Sequence, residues 1–150
     1  MIAVIQRVSK SSVRINHNIT REIGVGLMIL LGIETSDDST EIEWLCRKIL
    51  NLRVFPDDEK VMNRSLLDIQ GDLLLISQFT LHASTKKGNR PSYIKAARPE
   101  QAIPLYQECI HCFERELKRP IQTGEFGAEM EVSLVNDGPV TIIIDTQNKI

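Results

Sequence analysis

The chain has little of what most hydrolases and metalloenzymes use for chemistry. Its 150 residues include three histidines, three cysteines and one tryptophan, and only 5% of them are aromatic. It has no Gly-x-Ser-x-Gly sequence and no glycine-rich phosphate loop at a strand-to-helix junction. An odd number of cysteines argues against a disulfide framework. These absences remove the common hydrolase and nucleotide-binding signatures and predict a reducing compartment.

Long apolar segments are missing as well. The longest run, Val25 to Ile33, contains two glycines and is far shorter than the roughly 20 residues that span a bilayer. No apolar core followed by a small-residue cleavage site marks a secretory signal. The composition, 42% hydrophobic and 25% charged, is that of an ordinary globular chain, and the length suits one domain over residues 1–150. We therefore expect a cytoplasmic protein with no membrane partner.

The charge is distributed unevenly along the chain. The net charge is −2, so the protein as a whole does not attract nucleic acid electrostatically. Between Leu73 and Pro99, however, there is no acidic residue, and five cations fall there: Lys86, Lys87, Arg90, Lys95 and Arg98. This stretch has two interpretations, a loop that contacts phosphates or an ordinary solvated loop.

Alternating and continuous apolar residues predict several strands. Met1 to Ile15 alternates and predicts a long strand, which turns at residues 16–18 into a short return strand. The continuous apolar character of residues 24–33 predicts a strand buried on both faces. Two further apolar runs, 66–69 and 73–76, flank Gln70-Gly71-Asp72 and predict a tight hairpin.

Helical spacing occurs twice. Apolar residues from Ile42 to Leu50 and from Pro99 to Leu117 recur at the helix period, and Pro with an acid opens the second helix. Two more strands, Met130–Val135 and Val140–Ile144, end the pattern. The order of strands, helix, strands, helix, strands predicts an α+β fold, with a mainly antiparallel, barrel-like sheet and two main helices.

Conventional catalytic groups have structural explanations. A Ser-His-Asp triad would have to recruit His82, whose closeness in sequence to Ser77 proves little because triads depend on geometry. Cys109-Ile110-His111-Cys112 lies in a helical pattern without a second ligand pair, which favours core packing over a metal site. Glu129 and Glu131 share one strand face and fit a solvated surface better than an acid/base pair.

Two short motifs stand where strands end. Ser77-Gln78-Phe79-Thr80-Leu81 follows an apolar run, and residues 136–141, Asn-Asp-Gly-Pro-Val-Thr, separate the last two strand-like runs. Loop ends carried by rigid strands are common places for functional sites. By itself, Asp137-Gly138 between apolar strands is typical of a hairpin turn, and the statistics of X-Pro bonds favour a trans Gly138–Pro139 bond.

The two motifs closely resemble the signature motifs of the D-aminoacyl-tRNA deacylases, the D-Tyr-tRNA deacylase family. The opening residues 1–8, with their Gln6-Arg7 pair, the segment 87–93 (Lys-Gly-Asn-Arg-Pro-Ser-Tyr) and the run Phe126 to Met130 are similar to further family segments. The resemblance covers essentially the whole chain. It implies a homodimeric enzyme that hydrolyses the ester between a D-amino acid and the tRNA 3′-terminal adenosine, without a cofactor or metal.

The resemblance also implies roles for individual residues. Ser77, Gln78 and Thr80 would act at the aminoacyl end, and Phe79 would offer an apolar surface to adenine. Other expected residues fall into two groups: substrate-binding Gly138, Pro139, Arg7 and Met130, and tRNA phosphate contacts Lys86, Lys87 and Arg90. In the family the Gly-Pro bond is cis, and each subunit's pair reaches into the other's pocket. The pair would exclude L-substrates by shape, while glycyl esters would not be fully excluded.

Alternatives remain at this point. Thr80 could be a nucleophile, but without a nearby base a threonine is a poor one. Activation of water by the terminal ribose 2′-OH, with backbone N–H groups holding the oxyanion, needs fewer protein groups and is the interpretation we favour. The chain could instead be a non-catalytic nucleic-acid-binding dimer, or a general esterase acting on small activated esters.

Overall fold

The computed structural model describes residues 1–150, and its first half is built around one long strand. Strand β1 (Ile2–Ile15) turns through Asn16 and His17, both with positive φ, into β2 (Ile19–Ile23). Strand β3 (Gly26–Gly32) then pairs antiparallel with the first half of β1, with Ile5 opposite Ile29. These three strands confirm the sequence prediction, because alternation sets which face of β1 is buried.

Two helices cover one face of the sheet. Helix α1 (Thr40–Leu50) and helix α3 (Pro99–Leu117) pack against each other, and each buries the apolar stripe predicted from its spacing. Alternate residues of β3, Leu27, Ile29 and Leu31, belong to the same core as these helices. Met28 lies in a second, smaller core inside the sheet, so β3 is buried on both faces as predicted.

The predicted hairpin at Gln70-Gly71-Asp72 is wrong. Residues Leu66–Ile69 form a short helix, α2, after a small hairpin of β4 (Phe55–Pro56) and β5 (Met62–Arg64). Ser65 caps α2: its hydroxyl accepts from the Asp68 N–H, and the Asp68 carboxylate accepts from the Ser65 N–H. A four-residue apolar run cannot by itself distinguish a helical turn from a strand, and this capping box selects the helix.

The sheet is mixed rather than mainly antiparallel throughout. Strand β6 (Asp72–Ser77) pairs parallel with β3, and the short β7 (Gln122–Thr123) pairs parallel with β6. Strand β2 approaches β7, where Arg21 donates a hydrogen bond of 2.7 Å to the Thr123 carbonyl. The six strands therefore come close to closing a barrel, with helices outside, as the barrel-like prediction required.

The last strand, β8 (Met130–Asp145), corrects another prediction. The sequence suggested two strands separated by a turn, but both halves of β8 pair with β1, from Ile2–Asp145 to Ile15–Met130. The Asn136–Pro139 segment is a local irregularity in this ladder, between the Val8–Asn136 and Gln6–Thr141 pairs. The opposite edge of β8 carries no strand. None of the helices is long and apolar enough to cross a membrane.

Candidate active site

The first motif is placed by the end of the buried strand β6. Ser77 pairs with Leu31 of β3, and the Gln78 N–H donates 2.8 Å to the Leu31 carbonyl. The chain then enters a 3₁₀ turn, Phe79–His82. This turn lies directly on Gly32, where a Cβ would come within 3.0 Å of the Gln78 carbonyl and of the Leu81 side chain. A larger residue would push the turn outward by a few tenths of an ångström, so glycine permits this close approach.

Beside this turn lies a cavity of about 330 Å³. It is mostly apolar and is lined on one side by Ser77, Gln78 and Phe79, and on the other by residues of β8 and the segment before it. Small-molecule sites have this character: an apolar wall with a few polar groups that fix orientation. The remaining lining residues come from β3, β6 and helix α3 and its approach: Leu31, Ile33, Ile76, Ala97 and Ala102.

Part of this lining was not anticipated from the sequence. Met130 was expected at the site, and it lines the cavity together with Phe126, Ala128 and Val132. The alternation of Ala128, Met130 and Val132 shows that one strand face is apolar, which is a usable signal. Which element this face meets depends on the path of the chain around the barrel, and the local pattern does not contain that path.

The polar groups of the turn interact with each other and not with a base. The Gln78 side-chain amide donates a hydrogen bond of 2.6 Å to the Thr80 hydroxyl, which is half-buried. His82 is buried: its Nδ1 lies 3.7 Å from Glu34 Oε2, and its Nε2 has no hydrogen-bond partner. Neither Ser77 nor Thr80 is hydrogen-bonded to His82, so the geometry does not assemble a triad.

Burial and hydrogen bonding raise the pKa of several titratable groups near the core. The Tyr106 hydroxyl donates 2.8 Å to the Leu75 carbonyl, and burial raises the pKa of Tyr106. A hydrogen bond to Cys109, together with burial, raises the pKa of Cys46, and burial raises the pKa of Cys112. These thiols are buried between α1 and α3, as the core-packing interpretation predicted. No three His, Cys, Asp or Glu side chains come together as a metal-binding group.

The second motif is braced by hydrogen bonds. The Asn136 side chain accepts 2.8 Å from the Val140 N–H, and the buried Arg7 donates from Nε to the Asp137 carbonyl at 2.8 Å. Arg7 also donates 2.5 Å to the Val54 carbonyl and forms an ion pair of 3.5 Å with the Asp137 carboxylate. The Gly138–Pro139 bond is cis, as the resemblance implied, and not trans as X-Pro statistics alone favoured.

The two motifs lie far apart within one protomer. Gly138–Pro139 lies beside Arg7. Arg7 is paired with Leu27 of β3, and Leu27 is paired with Leu73 near the start of β6. Ser77 is four positions further along β6, which is about 13 Å in the strand direction, and two strands, β1 and β3, separate β8 from β6. The structure therefore brings Ser77, Gln78, Phe79 and Met130 together around the cavity, but leaves Gly138–Pro139 at a different end of the sheet.

The basic residues lie next to the first motif. Lys86, Lys87 and Arg90 are exposed on a loop whose base is closed by two backbone hydrogen bonds between Ser84 and Ser92, of 2.8 and 3.0 Å. The loop begins directly after the 3₁₀ turn, and Tyr93 at its other end contacts Phe79, so both ends of the loop lie beside the first motif. Glu129 and Glu131 are exposed and pair with His17 and Arg14, as expected of a solvated strand face.

The comparison with known proteins agrees with these motifs. The family model described as D-Tyr-tRNA(Tyr) deacylase matches residues 4–145. A relative from Christiangramia forsetii, named D-aminoacyl-tRNA deacylase, is 58% identical over 149 residues, which is 99% of each chain.

Two solved structures are also similar. One described as c-Myc DNA Unwinding Element Binding Protein has a TM-score of 0.91 and 41% identity, covering 97% of this chain and 98% of its own. Another, described as a probable eukaryotic D-amino acid tRNA deacylase, has a TM-score of 0.82 at 16% identity, covering 95% and 97%, and shows the shared fold alone. With the family model matched over nearly the whole length, the resemblance is confirmed: the chain belongs to the D-Tyr-tRNA(Tyr) deacylase family, whose members are hydrolases of aminoacyl-tRNA ester bonds.

Proposed function

We propose that the protein hydrolyses the ester between a D-amino acid and the 3′-terminal adenosine of tRNA, and rejects L-aminoacyl esters by shape. The observation that carries this proposal is the apolar cavity whose polar edge is formed by Ser77 and Gln78, with the Gln78 amide holding the Thr80 hydroxyl. Its volume of about 330 Å³ is at the small end of ligand pockets, which suits a terminal nucleoside better than a folded macromolecule. Phe79 offers an apolar surface there for adenine.

The chemistry needs little from the protein beyond positioning. Water attacks the ester carbonyl, the bond to the ribose 3′ oxygen breaks, and the free amino acid and tRNA leave. The ribose 2′-OH helps activate the water, and N–H groups of the 3₁₀ turn other than that of Gln78, which donates to Leu31, stabilise the oxyanion. The Thr80 hydroxyl is already accepting a hydrogen bond from Gln78 and has no base beside it, which supports a role in orienting substrate rather than attacking it.

The chiral filter belongs to Gly138–Pro139 of a second copy. One protomer holds its own pair far from its own cavity, so a second copy is needed to bring the two motifs to one substrate. The free edge of β8, with Val135 and Ile143 45% and 64% exposed, supports a homodimer, because a long, apolar, unpaired edge strand is an association surface. Backbone oxygens of the pair would then face the substrate Cα. Glycyl-tRNA, with hydrogen on both sides of Cα, would be hydrolysed as well.

Transfer RNA would be held mainly through its phosphates. Lys86, Lys87 and Arg90 are exposed, close to the motif, and free of ion pairs. Contacts of this kind position an RNA without reading its bases, so we expect low selectivity among tRNAs. The substrate and the three free thiols both point to a cytoplasmic enzyme.

A second candidate is a non-catalytic nucleic-acid-binding dimer. It is favoured by one observation, the similarity to the solved structure described as a DNA-unwinding-element-binding protein. The two candidates separate cleanly, because the binding protein would retain nucleic acid with no loss of ester.

A paired deacylation assay tests the proposal. The same tRNA is charged with D-Tyr or L-Tyr, mixed with catalytic amounts of the protein, and the remaining ester is followed. We expect rapid loss of the D-ester alone, and loss of glycyl ester in a third reaction. Loss of both tyrosyl esters would contradict the shape filter, and loss of neither would favour the binding protein. Turnover of small activated esters without adenosine would identify a general esterase.

A further inference from the structure

An exposed aromatic pair lies at the edge of the cavity. The rings of Phe79 and Tyr93 meet edge to face, with centroids 5.1 Å apart and an interplanar angle of 75°. Phe79 is 53% exposed and Tyr93 39%, and the neighbouring Ile94 is 89% exposed. Phe79 lines the cavity, whereas Tyr93 and Ile94 do not. Tyr93 and Ile94 therefore extend an apolar surface outward from the cavity, and neither side chain belongs to the buried core.

The backbone holds this surface in place. The turn at Tyr93 is closed by the Ala96 N–H donating 3.0 Å to the Tyr93 carbonyl. It is tied to the end of β3 on one side, through hydrogen bonds of 3.0 Å from Thr35 to Lys95 and 2.9 Å from Ala97 to Ile33. The Ser84–Ser92 bridge fixes the other side. A surface fixed at both ends binds a ligand without a large ordering cost.

The surroundings are strongly cationic. The segment from Leu73 to Pro99 has no acidic residue and carries five cations, none of which forms an ion pair with the protein. Aromatic side chains beside unpaired cations are the combination that binds single-stranded nucleic acid, because bases stack on the rings while phosphates contact the charges. A protein partner would instead be expected to find charges of both signs.

We propose that Tyr93 and Ile94 form a stacking surface for the unpaired base that precedes the terminal adenosine of the RNA. This inference rests on the proposed function, since it takes the adenosine to lie in the cavity against Phe79. The two rings are close enough that a base at Phe79 and its neighbour along the strand each contact one of them. The enzyme then recognises the RNA end over two nucleotides, the second by stacking and without reading its hydrogen-bonding edge.

The test uses two substrates that differ only in this base. D-Tyr is esterified to the dinucleotide cytidylyl-adenosine, and to the same dinucleotide with an abasic ribose in place of cytidine. We expect the protein to hydrolyse the first with a kcat/KM about tenfold higher, within the range for one stacked base. Tyr93→Ala should hydrolyse both at the lower rate, and Tyr93→Phe should retain the difference. Val61→Ala, 56% exposed in the β4–β5 connection and outside the cavity lining, is the matched control and should behave as the parent.

A second variant protects the test against misfolding. Ile94→Ala removes a side chain that is 89% exposed, and it should reduce the base-dependent difference to about threefold. Equal rates on the two dinucleotides for the parent protein would overturn the inference. So would an equal loss on both substrates in Tyr93→Ala, because Tyr93 would then only support Phe79. If the parent hydrolyses neither these esters nor D-Tyr-tRNA, it is the proposed function that fails.

Discussion

The two motifs are held by different kinds of structure. Ser77–Thr80 ends a strand in the middle of the sheet, and its backbone is fixed by β3 and by close contact with Gly32. Asn136–Pro139 interrupts an edge strand, where Asp137, Gly138 and Pro139 are all exposed. The first motif borders the apolar cavity in its own protomer, and the second motif does not reach it. Asp137 of the second motif borders a separate pocket of about 360 Å³ beside Phe55 and Gly71.

The contrast shows how a site can be divided between a cavity at the end of one strand and a projecting segment of another. In the proposed function, the central strand would supply the surface that binds substrate, and its neighbouring strands on both sides hold it in place. The edge strand supplies a segment that projects outward, and only Arg7 and Asn136 brace it from inside. We therefore expect changes at the second motif to affect activity strongly while leaving most of the core intact.

The largest effect is expected from Gly138→Ala. Gly138 has φ of +136°, and a Cβ there would lie 2.9 Å from Arg7 Nη2 and from Val140 Cγ2. The segment must shift, and a displacement of about 1 Å at a reacting centre lowers rates about a hundredfold. We expect such a loss in kcat/KM for D-Tyr-tRNA, measured beside the melting temperature.

Gly24→Ala is the control for this substitution. The nearest atom to its Cβ, Asp72 Oδ2, would be 3.7 Å away, which is an ordinary contact. It should therefore retain activity. Full activity in Gly138→Ala would show that this segment does not border the ester. It would contradict the division of the site between the two motifs.

The second-largest effect is expected from replacing Arg7, which holds the second motif by hydrogen bonds. Arg7→Met leaves the carbonyls of Asp137 and Val54 without their buried donor, which should reduce the free energy of unfolding by about 2 kcal/mol. Without Arg7 the second motif is held less firmly, and positioning contributes to rate. We therefore expect kcat/KM of the variant to fall about tenfold as well. Denaturant unfolding and deacylation measure the two effects separately.

Arg14→Met provides a matched comparison on the same strand. Its side chain is 50% exposed, and its ion pair with Glu131 is in water, so stability should change by less than about 1 kcal/mol. Equal destabilisation by both arginine variants would contradict the hypothesis that the buried Arg7 stabilises the second motif.

A smaller effect is expected at the first motif from Thr80→Val. The substitution preserves shape and removes the hydroxyl that accepts from Gln78. If Thr80 only orients substrate, kcat/KM should fall less than tenfold, whereas loss of a nucleophile would reduce it by several orders of magnitude. Thr20→Val, on the exposed strand β2, is the control. Abolished turnover with intact binding, in both Thr80→Val and Thr80→Ala, would restore the nucleophile interpretation.

The smallest effects should come from the basic loop. Each of Lys86→Ala, Lys87→Ala and Arg90→Ala should raise KM two- to threefold at moderate salt and leave kcat unchanged. The logarithm of the RNA-binding constant falls linearly with the logarithm of the salt concentration. If each side chain contacts a phosphate of a single strand, each substitution should make this slope shallower by about 0.7. Lys48→Ala, exposed on helix α1, should leave the slope as it is. An unchanged slope in all three loop variants would identify the loop as ordinary solvated surface.

Local patterns predicted the elements whose signals are long. The stripes of α1 and α3 and the alternation of β1 extend over 11 residues or more, so their periods are unambiguous. The prediction was wrong at residues 66–69, where four apolar residues fit either period and the capping box decided. It was also wrong about a turn within β8, because an Asn-Asp-Gly-Pro sequence fits both a turn and an irregularity in a continuous strand.

The site divides in the same way. The sequence by itself determined the family, the two motifs, the helices and the long strands, because these depend on residue identity and on local periodicity. Only the tertiary structure decided the parallel pairing of β6 with β3, the lining of the cavity by Phe126 and Val132, and the separation of Gly138–Pro139 from Ser77. Those features depend on which strands become neighbours, and strand pairing is set by the closure of the barrel around its inner core and by the helices packed on its outer face.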